Sequence, residues 1–311
     1  MQPTEIEDFP RTLTEFEERF ADEQACATYL ERLRWPDGFR CPGCVHDHGW
    51  TIASRGLIQC AACDRQTSLT AGTVLHGTRK PLRDWFRTMW MVATRKTGLS
   101  ANDLMRALGF TRKVAWTWLH KLRRAMVMPN RTKLSGDVEV DEAFIACLAP
   151  RLDPARNVPV VIGVELPQSG GVGRIRLSHV DNKSAESLLP AVKATVEPGS
   201  KIHTDGLASY NGLEAAGFAH TVSVIGGCKD RAIEELPHVH LVASLLRRFL
   251  LGTYQGAAKS WHLQHYLEEF TFRFNRRSSR FVGKIFMRLA QGAVATRPAP
   301  YRSLVANYYS A

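Results

Sequence analysis

The sequence lacks an apolar run long enough to cross a membrane, which takes roughly 18 consecutive apolar residues. It also lacks a secretory signal, because the first twenty residues are acidic and contain no basic stretch followed by an apolar one. No glycine-rich phosphate loop, internal repeat or low-complexity tract is present. We therefore expect neither a membrane protein nor a secreted protein nor a P-loop ATPase. We expect a cytoplasmic protein.

Positive charge is present in excess, and most of it lies in one segment. The 311 residues carry a formal net charge of +11. Residues 1–50 hold 5 Lys or Arg against 11 Asp or Glu, residues 51–136 hold 16 against 3, and residues 137–311 hold 20 against 16. Basic charge concentrated in one domain attracts a polyanion, most commonly nucleic acid. The charge pattern therefore indicates a DNA-binding segment in the first half of the chain.

Four of the seven cysteines form two C-x-x-C pairs, Cys41 with Cys44 and Cys60 with Cys63, separated by fifteen residues. Each pair can supply two thiolates from one tight turn, and four such ligands suit tetrahedral zinc. The spacing predicts a structural zinc ribbon. The alternatives are two redox dithiols, coincidental cysteines, or a site in which His46 or His48 replaces one thiolate. A site closed by four thiolates leaves no position for a substrate, so we do not expect this zinc to be catalytic.

Two short helical patterns follow the cysteine segment. Residues 100–108 begin with Ser100 as an N-cap and stop at Gly109, and a basic helix follows from Arg112. This arrangement predicts a helix-turn-helix whose second helix enters the major groove. The residues predicted to face DNA are Arg112, Lys113, Trp116, His120 and Arg123. The alternative is a solvated basic face on a helical bundle. Further upstream, residues 14–35 read as one amphipathic helix.

The remaining chain shows an α/β texture. Strand patterns at residues 138–148, 158–166, 173–180, 201–205 and 220–225 combine with helical patterns at 184–196, 239–251 and 260–276. Three successive strands followed by alternating helices and strands predict a mixed sheet covered by helices.

Within this texture, Asp141 lies inside an apolar strand, where an ionised carboxylate is costly unless it meets a cation. Asp205 ends a second strand, although an Asp-Gly pair in that position is often only a turn. On helix 239–251, His240, Ser244 and Arg247 share one narrow arc. That arc is either part of a site or a solvated polar stripe.

The order of these motifs resembles bacterial insertion-sequence transposases of the ISXO-like branch. The carrying segments are the zinc ribbon, the helix-turn-helix, Val-Glu-Val-Asp141-Glu, Asp205-Gly, the run from His240 to Arg247 with Leu-Gly-Thr-Tyr-Gln-Gly256 after it, and residues 266–277. The resemblance implies a ribonuclease-H-like DDE-type domain that cleaves DNA and joins its strands. Asp141 and Asp205 then match two metal ligands, His240 the third triad position, and Arg247 the basic residue seven positions later. The implied catalytic ion is Mg²⁺ or Mn²⁺, and histidine in place of the usual glutamate removes one negative charge.

We therefore expect a multidomain α/β protein: an N-terminal helical segment at 1–35, a zinc ribbon at 36–78, a helix-turn-helix at 79–130, a ribonuclease-H-like domain at 136–285, and a C-terminal tail at 286–311. The expected partners are terminal inverted repeats, target DNA and further copies of the chain, without a membrane. The expected location is nucleoid-associated in the bacterial cytoplasm. The alternatives are a catalytically inactive DNA-binding derivative of such an enzyme and a nuclease that cleaves without joining.

Overall fold

The structure is a computed structural model that describes residues 8–128, 131–147, 156–223, 234–255 and 258–306. The described chain forms two compact units. The first contains residues up to 128 together with 279–306, and the second contains 131–278. None of the described helices is both long enough and apolar enough to span a bilayer.

The first unit begins with helices around an aromatic core. The helices and strands of this unit are α1 (Leu13–Arg19), α2 (Glu23–Arg34), β1 (Gly49–Ile52), β2 (Leu57–Cys60), β3 (Gln66–Ser68), α3 (Leu82–Thr94), α4 (Ala101–Leu108), α5 (Arg112–Ala125), α9 (Val282–Ala295) and α10 (Tyr301–Val305). The segment 14–35, predicted as one helix, is two, because Asp22 caps a new helix by accepting the N–H of Ala25. Strands β1, β2 and β3 form an antiparallel sheet in that order.

Helix α9 is part of the first unit rather than an extension of the second. It packs against α2, α3 and α5. Its Phe286 ring lies 5.4 Å from the ring of Phe16 and 5.6 Å from those of Phe20 and Phe86. The compact first unit thus includes residues 279–306, whereas the sequence placed 279–285 in the catalytic domain and 286–311 in a separate tail. Residues 307–311 lie outside the described chain.

The second unit is a five-stranded mixed sheet covered by helices on both faces. Its helices and strands are β4 (Asp137–Cys147), β5 (Arg156–Leu166), β6 (Ile175–His179), α6 (Ala185–Thr195), β7 (Lys201–Asp205), β8 (Ala219–Ser223), α7 (Pro237–Tyr254) and α8 (Leu263–Phe274). The strand order is β6-β5-β4-β7-β8. Strand β5 runs antiparallel to both of its neighbours, β4 and β6, whereas β7 and β8 run parallel to β4. This order confirms the predicted ribonuclease-H-like sheet flanked by helices.

The two faces of the sheet have separate cores. Val138 and Val140 of β4 pack with helix α6 on one face, while Ala143 and Ile145 pack with α7 and α8 on the other. Because side chains alternate along a strand, Glu139 and Asp141 share the face of Ala143 and point towards helix α7. The pleat of β4 therefore decides which acidic residues meet which helix.

Candidate functional site

Asp141, in the middle of β4, and Asp205, the last residue of the neighbouring parallel strand β7, lie just past the point where the two strands stop pairing. The pairing of β4 with β7 matches Val138 with Ile202 and Glu139 with His203, and it ends there. Continuing that register by two residues sets Asp141 level with Asp205, beyond the last paired residues. The strands no longer hydrogen-bond at this level, so the carboxylates stand where the sheet opens.

Burial and like charges hold the two carboxylates in an unfavourable environment. Asp141 is only 9% exposed. Burial, followed by the neighbouring charge of Glu142, raises the pKa of Asp141 to about 7, and the charge of Asp205 adds to this effect. Burial and the charge of Glu142 also raise the pKa of Asp205. Backbone N–H groups offset part of this effect, from Glu142 to Asp141 Oδ1 at 2.7 Å and from Leu207 to Asp205 Oδ1 at 3.1 Å. A cation between the carboxylates would relieve the repulsion.

His240 approaches this pair from the first turn of helix α7. Its Nε2 atom lies 4.0 Å from Asp141 Oδ2. The same nitrogen is buried and has no hydrogen-bond partner in the structure. A buried imidazole nitrogen without a partner is costly, and a metal ion is one of the few groups that can satisfy it.

The donor set fits a divalent cation. Two carboxylates supply the oxygen ligands that Mg²⁺ and Mn²⁺ prefer, and a neutral imidazole suits Mn²⁺ better than Mg²⁺. The set is open in this structure, because among the described residues only the four cysteines form a group of three or more ligands within 4.8 Å of one another. Asp141, Asp205 and His240 are therefore neighbours that do not yet converge on one point.

A buried network beside Asp141 includes residues that no sequence pattern indicated. The Glu142 side chain, only 2% exposed, lies 2.6 Å from the Lys183 ammonium and accepts a hydrogen bond of 2.9 Å from the Tyr210 hydroxyl. Ser209 donates to the Lys183 carbonyl at 2.6 Å, which ties the loop before α6 to the loop after Asp205. Lys183 is thus a cation beside the acidic cluster. Its position in a polar loop gave no periodic signal that could have identified it.

Arg247 lies on the same face of α7 as His240, two helical turns further along. Seven residues advance a helix by about 10 Å and nearly two full rotations. The Arg247 side chain is exposed to solvent. It is therefore separated from the carboxylates and available to a polyanion that extends past them.

The four cysteines converge as the sequence predicted. Cys41 Sγ lies 3.6 Å from Cys63 Sγ, and Cys44 Sγ lies 3.5 Å from Cys60 Sγ. Four sulfurs at the 2.3 Å bond length of zinc stand about 3.8 Å apart in a regular tetrahedron. Both turns place a residue in the left-handed region, Val45 in the first and Asp64 in the second. The two knuckles are thus nearly equivalent turns that aim their sulfurs at one point.

The electrostatics of these sulfurs favour a bound cation. The N–H groups of Cys44 and Gly43 lower the pKa of Cys41 to about 6. For Cys44, the N–H of His46 lowers the pKa, but the neighbouring sulfurs and burial outweigh it and raise the value to about 12. Crowded sulfurs that resist joint ionisation are stabilised as thiolates by a metal ion. Four cysteines in this geometry can bind zinc.

The residues predicted to face DNA divide into two groups. Ser100 accepts the N–H of Asp103 and caps α4, Gly109 ends it in the left-handed region, and α5 starts at Arg112, as predicted. Arg112 and Lys113 are exposed in the first turn of α5, and Trp116 is half-buried.

His120 and Arg123 differ from the prediction, because they are only 0% and 2% exposed. They cannot face DNA in this structure, and the predicted set is corrected to exclude them.

The burial of α5 has a physical cause at the far end of the chain. Helices α9 and α10 both pack against α5. The Tyr301 ring lies 6.1 Å from the Trp116 ring, and the Lys113 ammonium lies 4.3 Å from the centre of the Tyr301 ring. These contacts join residues almost 190 positions apart. No local pattern in residues 112–125 could have revealed which face of the helix they cover.

Two family models match the chain. The one described as the ISXO2-like transposase domain matches residues 133–275, which span the whole sheet and helices α6, α7 and α8. The one described as the transposase zinc-ribbon domain matches residues 21–66, which include all four clustered cysteines. Residues 133–275 belong to the ISXO2-like transposase domain family, and together with the zinc-ribbon match they support an insertion-sequence transposase. This transposase thus combines a zinc-ribbon module with a DDE-type domain in one chain, as the motif order implied. No curated protein matches it.

Proposed function

We propose that this transposase binds the terminal inverted repeats of an insertion sequence and catalyses metal-dependent cleavage and strand transfer there. The proposal is supported by His240 Nε2, which is buried without a hydrogen-bond partner 4.0 Å from Asp141 Oδ2, and by the register that sets Asp141 level with Asp205. Membership in the transposase family supports the reaction class.

Asp141, Asp205 and His240 would hold Mg²⁺ or Mn²⁺. Such an ion lowers the pKa of an attacking water or 3′-hydroxyl and neutralises charge on the phosphate and the leaving oxygen. The chain itself contributes position and charge, which account for most of the catalysis of phosphoryl transfer. Arg247 is placed to hold the DNA backbone by a charged, forked contact. Lys183, paired with Glu142, is a second cation near Asp141 and Asp205.

The zinc ribbon and the helix-turn-helix would deliver the DNA end. A structural zinc held by Cys41, Cys44, Cys60 and Cys63 would fold the ribbon. Arg112 and Lys113 occupy the first turn of α5, the part of a recognition helix that reaches base edges in the major groove. Two ends must be processed together, so we expect a homo-oligomer to assemble on DNA.

The deciding experiment incubates the zinc-loaded protein with duplex DNA that carries the ends of its element, with Mg²⁺ or Mn²⁺. We expect cleaved and joined products that disappear in Asp141→Ala and Asp205→Ala. Asp137→Ala is the matched control, because Asp137 lies on the same strand but is half exposed and remote from the site. Its activity should equal that of the wild type.

The second candidate is a DNA-binding protein without catalytic activity. It is favoured by the histidine at the third position, which lacks the negative charge of glutamate, and by the open spacing of the triad. Normal binding of the DNA ends with no cleavage under either metal would support it. Cleavage without joined product would instead indicate a nuclease.

A further inference from the structure

Helix α7, which carries His240, begins without a cap of its own. Its N-cap residue is Leu236, which offers no side-chain acceptor, and Pro237 follows in the first turn. The first N–H groups of any helix have no acceptor within that helix. A buried helix start of this kind needs acceptors from elsewhere in the protein.

Glu139 of strand β4 supplies these acceptors. Its Oε2 accepts the N–H groups of His238 and Val239, both at 3.0 Å, and its Oε1 lies 2.7 Å from His238 Nδ1. The Glu139 side chain is only 5% exposed. Both oxygens are therefore engaged by the start of one helix, where the helix dipole also favours a negative charge.

The contact fixes the distance between two members of the triad. Glu139 and Asp141 are two residues apart on the same face of β4, and His238 and His240 are two residues apart at the start of α7. An attachment at Glu139 therefore sets both the height and the rotation of the turn that presents His240 to Asp141. We propose that Glu139 is a positioning residue that clamps helix α7 onto strand β4 so that the His240 imidazole faces Asp141. This inference rests on the proposed metal-dependent function.

Burial of a carboxylate could also serve stability alone, and a matched residue separates the two roles. Glu165 on strand β5 of the same unit likewise accepts a backbone N–H, that of Ser135 at 2.9 Å, and pairs with Arg174 at 2.6 Å. Its side chain is 16% exposed. Glu165 holds no part of α7, so Glu165→Ala removes a comparable anchor without touching the clamp.

The test uses the full zinc-loaded chain and two readouts, the affinity for Mn²⁺ by calorimetric titration and amide hydrogen exchange at residues 238–244. In Glu139→Ala we expect Mn²⁺ to bind at least tenfold more weakly and the first amides of α7 to exchange at least tenfold faster. Glu139→Gln retains one acceptor oxygen and should recover part of both losses. Glu165→Ala should lower thermal stability yet leave both readouts within twofold of the wild type.

A double-mutant cycle with His240→Ala isolates the positioning role. If Glu139 acts through His240, the loss of Mn²⁺ affinity caused by Glu139→Ala should largely vanish when His240 is already alanine. An undiminished loss in that background would overturn the inference, as would wild-type exchange at the start of α7 in Glu139→Ala. Equal losses in Glu165→Ala would also overturn it. A wild-type protein that binds no Mn²⁺ contradicts the proposed function instead, and hydrogen exchange still decides whether Glu139 clamps the helix.

Discussion

Replacing Asp141 with asparagine should stabilise the metal-free protein at alkaline pH. In the folded state, burial first and the charges of Glu142 and Asp205 next raise the pKa of Asp141 from 3.8 to about 7. An acid whose pKa is higher in the folded than in the unfolded state costs stability once the unfolded chain ionises. Wild-type stability should therefore fall as pH rises from about 4 to about 7 and then level off.

The size of the effect follows from the shift in pKa. A rise of about three in the pKa, at 1.36 kcal/mol for each pKa unit, lowers the free energy of unfolding by about 4 kcal/mol at pH 8. At pH 6 the folded carboxyl is mostly protonated, so the loss is smaller, about 3 kcal/mol. Asparagine is nearly isosteric and can still accept the N–H of Glu142. We therefore expect Asp141→Asn to gain about 2–4 kcal/mol at pH 8, or roughly 5–15 °C in the unfolding midpoint of the second unit.

The assay follows the unfolding transition of the second unit, induced by heat or urea, at pH 6 and pH 8. The protein is first treated with a chelator and is then measured with and without Mn²⁺. Asp137→Asn is the control, because Asp137 lies on the same strand but is half exposed. Mn²⁺ at a hundred times its dissociation constant should stabilise the wild type by about 2.7 kcal/mol and leave Asp141→Asn nearly unchanged. An Asp141→Asn protein less stable than the wild type at pH 8, or equal stabilisation of both proteins by Mn²⁺, would contradict this prediction.

Three further predictions concern the first unit. Metal analysis should find one zinc per chain, and Cys60→Ser should lose it together with several degrees of thermal stability; unchanged stability would contradict a structural role. Gly292→Ala should destabilise the first unit by about 1–3 kcal/mol, because a Cβ there would stand 2.0 Å from the Ala125 carbonyl oxygen. Gly252→Ala, in α7 of the second unit with nothing within 4 Å of the added Cβ, should be neutral or slightly stabilising in the same unfolding experiments. Arg112→Ala should weaken binding of the element's ends by about 1–3 kcal/mol and reduce their preference over unrelated DNA, measured by fluorescence anisotropy; an unchanged preference would show that Arg112 reads no base.

Local sequence patterns predicted many of the helices and strands in both units. The alternation Val138-Glu139-Val140-Asp141 indicates a strand with two faces, and the caps Ser100 and Gly109 mark the limits of α4. Such signals are local, because caps and pleats act over a few residues. The paired cysteines likewise predicted their own convergence, since zinc-ligand spacing is a strong geometric constraint.

What sequence patterns missed depends on contacts between distant segments. Helices α9 and α10 return to pack against α5 from the far end of the chain, and His120 and Arg123 of α5 are buried. The role of Glu139 depends on the start of α7, a hundred residues later. Side chains alternate along β4, so Glu139 faces α7 as Asp141 does. The sequence does show a charged residue at position 139 inside an apolar strand. It does not show that this residue contacts the start of α7.

The most direct test of the triad is anomalous X-ray scattering from crystals of the zinc-loaded chain soaked in MnCl₂. We predict a manganese peak bonded to a carboxylate oxygen of Asp141 and of Asp205 and to His240 Nε2, distinct from the zinc peak among the four cysteines. Crystals with fully occupied zinc and no manganese density at the open end of β4 and β7 would contradict it.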